Sequence, residues 1–200
     1  MITVQPIKRR RSARVRAPLL LGALLLVLLR PTAFSAPAQP GFFVRYAETE
    51  LRNEVYYLSA EAELNLTGAV VEALDSGVAL PIDLQIEVIN PRGWIWDETV
   101  YSLRQRYRVK YHALSGQYLV TNLNSRVQYS YPARSAALSA VGSIGDLPML
   151  DRSALDVGQT YEVRLRARLA VEDLPSPLRV WAYISSDWDL VSDWYRWPLR

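Results

Sequence analysis

From Thr99 to Ala113 the chain alternates almost without a break. Tyr101, Leu103, Tyr107, Val109 and Tyr111 are apolar, with Gln105 the one interruption, while Ser102, Arg104, Arg106, Arg108, Lys110 and His112 between them are polar and mostly basic. A period of two sustained over this length requires an extended strand with one face buried and one wet. It is long for a strand, since about five or six residues is usual. Upstream, Ile82, Leu84, Ile86 and Val88 alternate with Asp83, Gln85 and Glu87. Asn90-Pro91-Arg92-Gly93 then supplies turn chemistry. Pro81–Val88 and Val100–His112 are therefore expected to form a hairpin, with Tyr101, Leu103, Tyr107 and Tyr111 inside.

The same period recurs along the chain. Phe42–Leu51, Val55–Leu66, Gln117–Leu123, Arg126–Tyr131 and Tyr161–Val171 read as strands, as does Leu178–Ser185 after the Leu174-Pro175-Ser176-Pro177 break. The closing segment Trp188–Trp197 is read as a further strand. Val70, Val71 and Leu74 have helical spacing that Gly77 can end, and Pro132–Val141 is a second helix ended by Gly142. Gly145–Leu155 reads as a loop. Strands separated by turns, without strand–helix alternation, point to antiparallel pairing. The expected class is mainly β, a β-rich α+β domain: an antiparallel sandwich or strongly curved sheet with two short helices.

Residues 1–38 read as an address. Lys8, Arg9, Arg10, Arg11, Arg14 and Arg16 precede an apolar run from Ala17 to Leu29, and small residues from Ala33 to Ala38 offer cleavage after Ser35 or Ala38. As a helix the run spans about 20 Å, short of the roughly 30 Å of a bilayer core. A cleaved signal peptide is expected, with an uncleaved tether as the alternative. This segment holds seven of the 23 basic residues and none of the 20 acidic ones, so beyond it acidic side chains outnumber basic ones 20 to 16. Such a balance argues against general nucleic-acid binding. With no cysteine in the chain, residues 39–200 must stand as a single domain on a hydrophobic core.

Two clusters are candidates for binding. Arg104, Arg106, Arg108 and Lys110, and likewise Arg164, Arg166 and Arg168, fall on one face of their strands about 7 Å apart. Were the strands neighbours, that face could hold carboxylates or phosphates. The alternative is a solvated face paired with acidic strands: a closed hairpin would set Asp83 opposite Arg104, and Glu61 and Glu63 could serve the second stripe. Cross-strand pairs of this kind contribute about 0.2–1 kcal/mol each. The second cluster is Trp181, Trp188, Trp194 and Trp197. If the ending is a strand, Trp188, Leu190 and Trp194 share the core-facing parity. Trp197, with Trp181 or Tyr183, is then the aromatic element left for a partner. No catalytic, cofactor-binding or metal-ligating set is assigned. The single histidine, His112, would have to serve any triad, and Asp187, Asp189 and Asp193 lack the glycine and closing glutamate of a calcium loop.

Three blocks carry a resemblance: Ala73-Leu74-Asp75-Ser76-Gly77-Val78-Ala79-Leu80; Tyr107, Val109, Tyr111, His112, Leu114 and Tyr118; and Leu174-Pro175, Pro177-Leu178-Arg179, Asp187-Trp188, Leu190, Ser192 and Trp194. With them the chain resembles exported proteobacterial proteins grouped as domain of unknown function 4390. The resemblance implies a Gram-negative envelope protein with no assigned activity and no functional residues to carry over. It also implies a link to an envelope sensor system, because such proteins are often encoded beside a membrane sensor kinase. The expectation is a periplasmic, non-enzymatic domain that binds an envelope protein or an anionic envelope ligand. It would meet the membrane only through an uncleaved signal segment, which would make it an inner-membrane-anchored domain facing the periplasm. A hydrolase or transferase acting on envelope carbohydrate is the alternative. Export with cleavage predicts an intact mass, for protein recovered from the envelope fraction, that begins after Ser35 or Ala38. A mass retaining Met1–Ala38 would mark a tether instead.

Overall fold

A computed structural model describes residues 39–92 and 96–200. The expected signal segment, 1–38, and the last residue of the Asn90–Gly93 turn lie outside the described residues. Among the described residues no helix is long and apolar enough to cross a membrane.

β1 (Gly41–Arg52) and β2 (Val55–Asn65) form an antiparallel hairpin. Its two-residue turn, Asn53-Glu54, has positive φ at both positions, the geometry whose twist matches paired strands. Beyond it, Thr67 caps helix α1 (Gly68–Asp75) by accepting the Val70 N–H. Val70 and Leu74 point into the core, and Gly77, at φ +87°, ends the helix as its position in the sequence foretold.

The organising hairpin is β3 (Leu80–Asn90) with β4 (Glu98–His112). Tyr101, Leu103 and Tyr107 pack against the core as their parity requires, and Tyr111, of the same parity, stacks on Tyr118. The register is two residues off the sequence expectation: Asp83 stands opposite Arg106, not Arg104. A bulge between Val88 and Ile89 and a longer connection place the strand ends differently, but a two-residue shift leaves every side chain on its face. β5 (Gln117–Asn122) and β6 (Gln128–Tyr131) continue the sheet beyond β4; β8 (Glu162–Leu169) and β9 (Tyr195–Pro198) continue it beyond β3. The result is a six-stranded antiparallel sheet in the order β6-β5-β4-β3-β8-β9.

A second sheet runs β1-β2-β7. Its third strand, β7 (Ser143–Asp151), lies where the sequence suggested a loop. Pro148 is tolerated there because β7 is an edge strand. One hydrophobic core joins both sheets and includes Phe42, Leu58, Ile82, Ile86, Leu165 and Trp188. The fold is mainly β with α+β character, as expected, but with three α-helices among the described residues.

α2 (Arg134–Gly142) matches the expected second helix. The third, α3 (Ser176–Ile184), replaces the expected strand at Leu178–Ser185. Leu178 and Ala182 are one helical turn apart and face the protein, while Pro177 occupies the first turn, where a missing N–H costs nothing. Within the Leu174–Pro177 break, Leu174 is buried. The ending differs as well. Ser186–Trp188 is a single 3-10 turn, Val191 bridges Arg168, and only Tyr195–Pro198 is a strand. Trp188 and Leu190 are buried as expected.

α2 passes into β7 with no intervening residue, and a Cβ on Gly142 would lie 2.0 Å from the Ala62 carbonyl oxygen of β2. Gly142→Ala should therefore cost about 1–3 kcal/mol. Gly145→Ala, with nothing within 4 Å of the added carbon, should stay within about 0.5 kcal/mol. Urea melts of the two variants separate these outcomes.

Candidate functional site

The outer face of the six-stranded sheet is where the two basic stripes meet, and they meet across an intervening strand. β3 runs between β4 and β8, so Arg106–Asp83–Arg168, Arg104–Gln85–Arg166 and Ser102–Glu87–Arg164 form three cross-strand rows. The stripes are thus neither direct neighbours nor served by Glu61 and Glu63; Glu63 pairs with Arg45 in the other sheet. Burial follows from the arrangement. Long arginine stems from both sides fold over β3 and leave Asp83 only 2% exposed and Gln85 buried.

The β8 stripe is consumed internally. Arg164 holds Glu87 through Nε at 2.7 Å and Nη2 at 2.5 Å. Arg166 Nε donates to Gln85 Oε1 at 2.7 Å, and Arg168 pairs with Glu172 one turn on. Trp194 lies over this stripe, with the guanidinium carbons of Arg164 and Arg166 4.6 and 4.4 Å from its ring centroid. Burial, with Arg168, Arg164 and Arg104 close by, presses the Arg166 guanidinium below its usual range.

The β4 stripe is different. Arg104 reaches Asp83 only at 3.8 Å. Among the described residues Arg106, Arg108 and Lys110 have no carboxylate within ion-pair distance. A loop docks on the edge of their strand: Leu123 N–H donates to Arg106 O, Asn124 Oδ1 accepts the Arg106 N–H, and Asn124 Nδ2 donates to Arg104 O. The three cations line a cleft of about 570 Å³ floored by Pro81, Leu123 and Leu174, with Asp173 its acidic member. Three point charges at strand spacing over an apolar floor suit an anion with a nonpolar body.

Asp83 sits beneath this field. Its Oδ2 has no hydrogen-bond partner, and Arg104 Nη1 and Arg168 Nε both stand 3.8 Å away. Burial raises its titration range, outweighing the pull of Arg104, Arg168 and Arg106, while Asp173 adds to the rise.

The aromatic candidates separate. Trp181 and Tyr183 are exposed, at 67% and 63%, but on a helix. Val180 and Ile184 join them on its outer face; the strand reading had hidden both, although the four-residue spacing of Leu178 and Ala182 was the signal. Trp197 is not the exposed element. It faces inward beside Val163, packs on the core and donates from Nε1 to Thr49 Oγ1 at 3.2 Å. Trp194 takes the outward role instead, because the irregular segment before β9 resets the parity. His112 meets only Ser115, at an exposed turn. Among the described residues no group of His, Cys, Asp or Glu is placed to hold a metal.

The family described as domain of unknown function (DUF4390) matches residues 39–198. The chain belongs to this family. No curated protein and no solved structure matches it. The DUF4390 match spans the β4 row, the buried aspartate and α3 together, and it assigns no activity to any of them.

The raised range of Asp83 fixes a pH dependence. The folded protein takes up a proton there more readily than the unfolded chain, so the charged form works against folding. That unfavourable contribution sets in as pH rises from near 3.8 through the folded value, and it vanishes in acid. Asp83→Asn removes it. Melts from pH 4 to 8 should show the variant gaining on the unmodified protein as pH rises; a constant difference would mean that Asp83 titrates as an ordinary carboxyl.

Proposed function

We propose that this protein is a non-enzymatic binding domain of the Gram-negative periplasm, and that its ligand is an anionic envelope component held by Arg106, Arg108 and Lys110. One observation carries the reading: on a sheet face where the other arginines are matched to Glu87, Gln85, Glu172 or Asp83, these three cations are unmatched and line one cleft. Unsatisfied charge focused over an apolar floor attracts a complementary anion and gains by releasing it from water.

The same face weighs against hydrolysis. Glycoside or ester chemistry through carboxylates needs two that converge on one reacting bond. Asp83, the buried charged side chain among the described residues, is instead ringed by arginines. A connection to an envelope sensor system fits a domain whose output is occupancy of a site rather than a product.

The test uses phosphorylated lipopolysaccharide core oligosaccharide and an acidic peptide as soluble probes in isothermal titration. Arg106→Glu with Arg108→Glu should weaken binding of the preferred probe by about 100-fold or more, and binding to the unmodified protein should weaken with added salt. Arg45→Ala, which removes a surface cation of the other sheet, should leave affinity unchanged. Equal binding by the charge-reversed and unmodified proteins would sink the assignment.

A further inference from the structure

The outer face of α3 is inverted relative to an ordinary surface helix. At about 100° per residue, Tyr183, Val180, Ile184 and Trp181 cover roughly 160° of its circumference, with Ser176 in the first turn the one polar side chain in that arc. All four are at least 63% exposed, while the inward face carries Leu178, Ala182 and the half-buried Arg179. The Arg179 guanidinium is turned back onto the Leu174 carbonyl, at 3.2 and 2.9 Å, and so does not interrupt the ridge. A soluble surface gains nothing from such a face.

We infer that α3 is a lipid-docking helix, which seats the domain on an anionic bilayer surface by inserting Trp181 and Ile184 between headgroups. The inference rests on the ridge and does not depend on the anion cleft as a ligand site. Three features favour lipid. The ridge combines aliphatic side chains with Trp and Tyr, the composition of interfacial helices. Cations stand beside it. Arg106, Arg108 and Lys110 border the cleft at its N-terminal approach, against the carboxylate of Asp173, while Arg166 and Arg168 on the other side are already engaged with Gln85 and Glu172. The ridge presents roughly 500 Å², less than the about 800 Å² per partner of a standard protein interface. That is too little for a second copy but ample for shallow insertion.

The point of chain entry agrees. Gly41 pairs with Asn65, Thr67 Oγ1 donates to the Asp187 carbonyl at 2.8 Å, and Asp187 lies three residues beyond the end of α3. The ridge and the start of β1 are therefore at the same end of the domain.

The experiment floats the protein, as isolated from the envelope, with vesicles of phosphatidylethanolamine and phosphatidylglycerol at 3:1. Trp181→Ser with Ile184→Ser alters exposed positions, so the melt should be unchanged while vesicle partitioning falls by about tenfold or more. Trp181→Phe should keep partitioning but lose most of the fluorescence quenching by brominated acyl chains, a readout that holds even where residues 1–38 are retained. Quenching by brominated lipid that is equal in the unmodified protein and Trp181→Phe would overturn the proposal. So would partitioning that is equal in the unmodified protein and the double variant when both lack residues 1–38. A concentration-dependent dimer, broken by the double variant and without vesicle binding, would also overturn it by giving the ridge to a second copy.

Discussion

β3 is buried on both faces, and most of the molecule answers to that. Its inward side chains, Ile82, Leu84, Ile86 and Val88, form the middle of the core. Its outward side chains are Asp83, Gln85 and Glu87, and burying them is tolerable only if both neighbouring strands bring cations to meet them. β4 and β8 do so from either side. A central antiparallel strand would ordinarily be apolar on its second face or covered by another layer. Here the covering layer is made of arginine stems.

The supply of cations exceeds the demand. β3 offers three polar positions to two flanking strands, and β8 claims most of them with shorter, better directed bonds. β4 is left with a surplus: among the described residues only its Arg104 comes within ion-pair distance of a carboxylate, the buried Asp83 at 3.8 Å. The cationic character of one edge of this face therefore follows from the pairing of its strands, even though the domain as a whole is mildly acidic.

Much of this was legible in the sequence. The strict period of β4 and β8 fixed which side chains share a face, and that survived a two-residue error in register because the error was even. The matched charge of the β8 stripe was foreseeable in kind, although its partners were assigned to β2 instead of β3. Nothing in a single chain states which strand lies between which, so whether the stripes touched could not be read. The C-terminal third misled for a definite reason. Trp181 and Tyr183 are two apart and bulky, which imitates a strand; the decisive spacing was that of the smaller Leu178 and Ala182. Trp194 and Trp197 exchanged roles because the single bridge at Val191 breaks the count that parity depends on.

The hydrogen bond from Trp197 to Thr49 joins the last strand of one sheet to the first strand of the other. Chronology follows from it. A polypeptide that emerges amino end first, from a ribosome or a translocation pore, can pair β1 with β2 early, because their turn is two residues long. It cannot form this clasp between the two sheets until β9 is free. Closure of this kind waits on contacts of very long sequence separation, which are slow to find. Until then the chain is an open half-shell whose apolar interior is available to whatever carries it, and the clasp that ends that dependence is a side chain of β9.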